Sequence, residues 1–213
     1  MAITKYTIAN RALLKIRSQT LETFEDETLQ SNIVNQIYES FIQNLLECSD
    51  WKFATKKQQI SKSTSTPINQ WSYIYTLPAD FLKLIAVWDS SSTYILSTRD
   101  FKLFEKNTLY SNTDGLWIDY IYRIDESYWP YYFIEFVISA LASELAIPIS
   151  GDSNLAQLYA LQAYGSPSEN GQGGLFGKAS FQDARQNPNP ILRLNYFSKS
   201  RFGLYEDYDN WPY

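Results

Sequence analysis

The side chains that could do chemistry in this sequence are carboxylates, one thiol and one lysine in a glycine-rich stretch; none of the 213 residues is a histidine. Without imidazole, Ser-His-Asp and Cys-His catalysis, His-ligated zinc and imidazole general bases are excluded. Four acids cluster at Glu22, Glu25, Asp26 and Glu27, and paired carboxylates can share acid and base roles. They stand just before a helical pattern, where the positive end of the helix dipole favours negative charge, and that structural role is the one expected of them. Glu135 and Glu144 form a second pair of glycosidase type. Placed on one helix, they point to different sides and share no cleft by themselves.

Gly177-Lys178 invites the phosphate-loop pattern GxxxxGK followed by Ser or Thr. It fails twice: Gln172 occupies the first glycine position, and Ala179 replaces the hydroxyl residue that would hold magnesium. Cys48, the only cysteine, reads as a small buried hydrophobe whose one candidate cationic neighbour is Lys52. A disulfide framework is therefore absent and a reducing compartment is expected. Paired-cysteine metal spacing, an EF-hand and a dinucleotide fingerprint are also missing. The sequence predicts no catalytic residue, no cofactor and no metal site.

Composition points to contacts instead. Apolar residues make up 45% and charged residues 19%, and aromatics reach 16%, with 17 Tyr and 6 Trp. That is more aromatic surface than a core of this size usually consumes, and Tyr and Trp are enriched at interfaces. The net charge of −5 and a sequence pI near 4.8 argue against a basic nucleic-acid grip. The opening MAITKYTIANRALL lacks a signal-peptide hydrophobic region, so export by that route is not expected.

The element that must position everything else is the apolar run from Trp129 to Pro148. Pro130 can open a helix there and Pro148 can close it. Tyr132, Phe133, Phe136, Val137, Ala140, Leu141 and Leu145 recur at helical spacing, and Ile134, Ile138 and Ile147 make the other side apolar too. A helix apolar nearly all round is a buried one. A membrane span is disfavoured because the stretch between the two prolines is short of about 20 residues and carries Glu135 and Glu144. One narrow stripe, Glu135, Ser139, Ala142, Ser143 and Ala146, is small or polar and suits close approach by another helix or a neighbouring subunit.

Before this run, Ile8, Ala12, Leu13 and Ile16 predict a first amphipathic helix capped by Thr4 or Thr7. Leu29, Ile33, Ile37, Phe41 and Leu45 predict a second, reaching about Ser49. Ser61 to Gln70 reads as an exposed loop. Strand periodicity follows at Tyr73 to Leu77, Phe81 to Trp88, Tyr94 to Leu96, Thr108 to Tyr110 and Leu116 to Ile124. After the central run, Leu155, Leu158, Tyr159 and Gln162 mark a fourth helix, Gly165 to Gly177 a loop, and Lys178 to Gln186 a further helical turn or two. The expected fold is α+β: an antiparallel helix bundle from 1–60 and 126–186, a small antiparallel β-rich domain inserted at 61–125, and an extended C-terminal arm at 187–213. That arm holds Tyr196, Phe197, Phe202, Tyr205, Tyr208, Trp211 and Tyr213, too aromatic for a solvated tail. Either it wraps its own domain or it docks on a partner and orders there.

The ordered set IANRALLKI, ECSDWKFATK, YIYTLPADFLKLIAV, LYSNTDGLWIDYIYRI, PYYFIEFVISALASELAIPIS, FQDARQNPNP and KSRFG resembles the head-to-tail adaptor family of short-tailed phages, the tail tubular protein A type. The sequence departs from that family at Arg17, in the glycine-rich stretch Gly165 to Gly177 and in the aromatic extension after Gly203. The resemblance implies a virion structural protein at the head-tail junction, made in the host cytoplasm. It implies a homo-oligomeric ring of twelve copies between the portal protein and the next tail component, a nozzle or tail tube, through which DNA passes without specific binding; no membrane and no enzymatic activity are implied. On this reading Tyr196, Phe197, Arg201, Phe202, Tyr205, Tyr208, Trp211 and Tyr213 form a portal-docking arm, and Glu135, Ser139, Ser143, Tyr73, Tyr75 and Trp117 face a neighbouring subunit or the tail. The alternative is an aromatic-rich glycan- or receptor-binding module of a phage tail.

Overall fold

The computed structural model describes residues 3–67, 70–105 and 107–186. Two helices come first, α1 (Lys5–Lys15) and α2 (Leu29–Glu47). Six strands follow: β1 (Thr55–Lys62), β2 (Tyr73–Thr76), β3 (Phe81–Trp88), β4 (Phe101–Phe104), β5 (Thr108–Ser111) and β6 (Leu116–Tyr122). Three helices then close the described chain, α3 (Tyr131–Leu145), α4 (Ser153–Tyr164) and α5 (Gly174–Ala184). Strands segregated from helices, all pairing antiparallel, give an α+β fold.

The apolar run does what its composition requires. Phe133, Phe136, Val137, Ala140, Leu141 and Leu145 of α3 are buried, and α1, α2, α4 and α5 all pack against this helix. The stretch Tyr131–Ser150 is long and apolar enough to cross a membrane by length and composition, yet most of its apolar part is buried within the protein. Two details differ from the sequence reading. Ile147 is 62% exposed, and Pro148 does not end the coil. Because proline has no N–H to give, the backbone widens into a π turn over Ala146–Ser150 and stops at Gly151, whose φ of 65° suits a residue without Cβ.

In α1 the Thr4 hydroxyl accepts from the Thr7 amide, and Ile8, Ala12, Leu13 and Ile16 are buried as their spacing predicts. In α2 the face turned inward is Val34, Tyr38, Ile42, Leu45 and Leu46. The stripe Leu29, Ile33, Ile37 and Phe41 lies along its flank, and Leu29 is 62% exposed. Two adjacent rows at spacing four compete here. The row holding Tyr38 goes inward because its hydroxyl finds the buried Glu126 carboxylate at 3.1 Å. Cys48 is exposed rather than buried; partial desolvation raises its thiol pKa and Lys83, not Lys52, is the cation that opposes this.

The acidic turn is also built differently. Asp26 accepts from the amides of Glu22 and Thr23 and from the Thr23 hydroxyl, which folds the turn on itself and holds its carboxyl below the usual range. The helix cap is Thr28, and the first turn of α2 holds no acid.

The sheet runs in the order β3-β6-β1-β2-β5-β4. It starts earlier than the sequence indicates, since β1 begins at Thr55, on the helical side of the expected boundary at 61, and continues through Lys62 into the expected loop. In the sequence TKKQQISK only Ile60 is buried, so alternation is invisible. Edge strand β4 was not foreseen either, and the strand expected at Tyr94 to Leu96 shrinks to one bridge between Trp88 and Ile95. A second core under the sheet is built on Tyr75, Phe81, Val87, Leu116, Ile118 and Tyr120.

The expected loop Gly165 to Gly177 is shorter than its composition indicates. Its last residues form the first turn of α5, and Phe176 is buried against Trp51 and Phe136. Glycines permit this. A Cβ on Gly174, whose φ is 55°, would fall 2.7 Å from the carbonyl oxygen of Gln162 and from the amide of Gly165. In α4, Leu155, Tyr159 and Ala163 pack inward, whereas Leu158 is 55% exposed.

Candidate assembly interface

Two polar clusters fix the helices and the sheet into one frame. Arg123, just past β6, donates from Nε to Glu39 Oε1 at 2.8 Å and from Nη2 to Glu126 Oε1 at 2.6 Å, while its ring neighbour Trp129 lies 5.7 Å away. Burial works against the Arg123 charge, but the hydrogen bonds it donates to the two carboxylates outweigh it and raise its pKa. Burial and the adjacent Glu126 also push the Tyr38 phenol up. The second cluster centres on Asp183 of α5, only 3% exposed, which accepts from the Tyr132 hydroxyl at 2.8 Å and the Lys52 amide at 2.6 Å. It ties α5 to α3 and to the turn that leads into β1. Neither cluster was legible beforehand: each joins residues far apart in sequence whose types are ordinary.

The small-residue stripe on α3 is covered by the protein itself. Arg11 pairs with Glu135, and one turn further on, Lys15 Nζ donates to the buried Ser139 hydroxyl at 2.9 Å. Burial lowers the Lys15 pKa, opposed by Glu135. The close-approaching helix is thus α1, which leaves Ser139, Ala142 and Ala146 no surface for a neighbouring subunit. Ser143 is half-buried and turns its hydroxyl back to the Ala140 carbonyl.

On the sheet, Tyr75 is fully buried; its hydroxyl donates to the Thr113 carbonyl at 2.8 Å and accepts from the Gly115 amide at 2.9 Å. Tyr73 is half-buried under Lys62, whose Nζ is 4.5 Å from the ring centre. Trp117 is half-buried and stands opposite Trp88 across the β3–β6 ladder. Of the six residues predicted for a subunit or tail contact, Glu135, Ser143, Tyr73 and Trp117 retain exposed surface, the first two on α3 and the last two on the sheet. The predicted arm residues, Tyr196, Phe197, Arg201, Phe202, Tyr205, Tyr208, Trp211 and Tyr213, lie outside the described residues.

The exposed apolar surface falls elsewhere. Leu158 and Leu161, 55% and 50% exposed, stand one helical turn apart on α4. Leu14 on α1, Leu29 on α2, Phe181 on α5, and Tyr128 and Tyr131 at the head of α3 are also exposed. Beside Tyr131 opens a groove of about 320 Å³ between α3, α4 and α5. Tyr132, Leu175 and Ala179 form its floor; Tyr131, Glu135, Gln162, Lys178 and Gln182 form its exposed rim. The sequence did not single these positions out: Leu158 shares the helical spacing of the inward Leu155 and Tyr159, and Tyr131 opens a run that is apolar nearly all round. In comparisons with protein-family models and with curated proteins, the chain matches none.

Proposed function

We propose that the chain is a structural subunit of a phage virion, a head-to-tail adaptor that assembles as a ring beneath the portal protein and above the next tail component. In this reading the helices form an antiparallel bundle, the sheet is an inserted domain, and the residues after Gln186 reach the portal. The observation that carries it is the pair Leu158 and Leu161. Single exposed apolar residues are ordinary, but two half-exposed leucines a turn apart on one helix, each worth about 1 kcal/mol more if fully covered, form a contact surface in want of a partner. A ring subunit needs such a surface, because a heterologous contact joins two different faces of adjacent copies. The acidic balance of the chain supports a conduit that does not grip the phosphate backbone.

The pair Leu158→Asp and Leu161→Asp tests this. The variant keeps the far-ultraviolet circular dichroism of the parent and fails to join neighbouring copies on a portal ring. Unchanged ring assembly by the doubly substituted chain would contradict the proposal.

A further inference from the structure

The groove between α3, α4 and α5 has an apolar floor under a polar rim. We infer that it receives the chain's own C-terminal segment, beginning near Ile191, in the free subunit. Three observations converge. The segment departs from the helix that forms the groove's wall, since α5 ends at Ala184 while Leu175, Lys178, Ala179 and Gln182 line the groove along its whole length. To return along an 11-residue helix, a distance of about 16 Å, an extended chain needs only about five residues. The sequence that follows Asn187-Pro188-Asn189-Pro190 supplies them.

Its pattern also fits. In the run Ile191 to Phe197, Leu192, Leu194 and Tyr196 fall at alternate positions, so an extended segment would offer these three apolar side chains on one side, with Arg193 and Asn195 between Ile191 and Phe197 on the other. The groove has the complementary section, an apolar floor at Tyr132, Leu175 and Ala179 under a polar rim that includes Glu135 and Gln182. A tether this short gives an effective concentration in the millimolar range. At the micromolar concentrations of a purified protein, the chain's own segment therefore outcompetes the same segment of another copy. This contact belongs to the single chain and stands whether or not the chain joins a portal; where it does, the segment must leave the groove first.

The test places a photo-cross-linking amino acid at Gln182, an exposed rim position, in the full-length chain, and mixes isotopically light and heavy copies at low micromolar concentration without any partner. The expected result is a cross-link to the peptide Ile191–Arg201 within copies of one isotope, reduced about tenfold or more when Leu192→Asp and Leu194→Asp remove the apolar side. Those substitutions lie outside the folded helices, so helix content serves as the control. Cross-links that join light to heavy copies, a yield unaffected by the two aspartates, or no cross-link to this peptide would each overturn the inference.

Discussion

Arg123 and Glu39 hold the end of the sheet against α2 through two hydrogen bonds, Nε to Oε1 at 2.8 Å and Nη2 to Oε2 at 3.2 Å. The same guanidinium neutralises Glu126, whose side chain is only 9% exposed. Arg123→Met would leave that carboxylate buried without its partner, at a cost of about 3–5 kcal/mol. For a chain of this size the thermal midpoint should fall by about 10 °C, readable by calorimetry.

The same contact sets an acid limit. Arg123 donates hydrogen bonds that hold the Glu39 carboxyl below its ordinary value of 4.5, with burial opposing. A depressed carboxyl contributes stability above the unfolded value and loses it as pH falls through the folded one. Melting temperatures measured from pH 6 down to pH 3 should therefore fall less steeply in Arg123→Met than in the parent.

An alkaline limit comes from the tyrosines. Burial raises the phenol of Tyr38, Tyr75, Tyr120 and Tyr132 above 10, and pushes that of Tyr164 up to about 12. Groups raised in the folded state contribute stability that is complete below the unfolded value and is lost as pH rises through the folded one. Denaturant midpoints should hold steady to about pH 9 and fall above pH 10. Replacing Tyr164 with Phe should lessen that fall.

Gly174 and Gly151 separate strain from collision. Both have positive φ, but nothing lies within 4 Å of a Cβ on Gly151, whereas one on Gly174 meets two backbone atoms at 2.7 Å. Gly151→Ala should cost about 1 kcal/mol from backbone strain. Gly174→Ala should cost clearly more and loosen α5, a difference that urea titrations of the two variants would read.

These positions also show what the sequence could and could not tell. The buried helix α3 was legible because its apolar residues leave no free face, and the cap of α1, narrowed to Thr4 or Thr7, because side-chain oxygens at helix starts have one recurrent use; the Thr28 cap of α2 was masked by the acidic turn before it. Strand β1 was hidden because its burial rests on Ile60 alone. The glycine stretch misled because composition does not distinguish a flexible linker from glycines that let α4 and α5 touch. The α3 stripe was legible as a close-approach face, but its partner, α1, is more than a hundred residues away in sequence. The groove depends on three helices meeting, which no local pattern encodes.

The central claim, that this chain is a ring-forming adaptor, is tested most directly by molar mass from light scattering, measured on the full-length chain alone and after mixing with a portal ring. The account predicts a species near 24.7 kDa alone that joins the portal in a fixed multiple matching the ring's copy number. A chain that stays at its own mass and leaves the portal peak unchanged would contradict it.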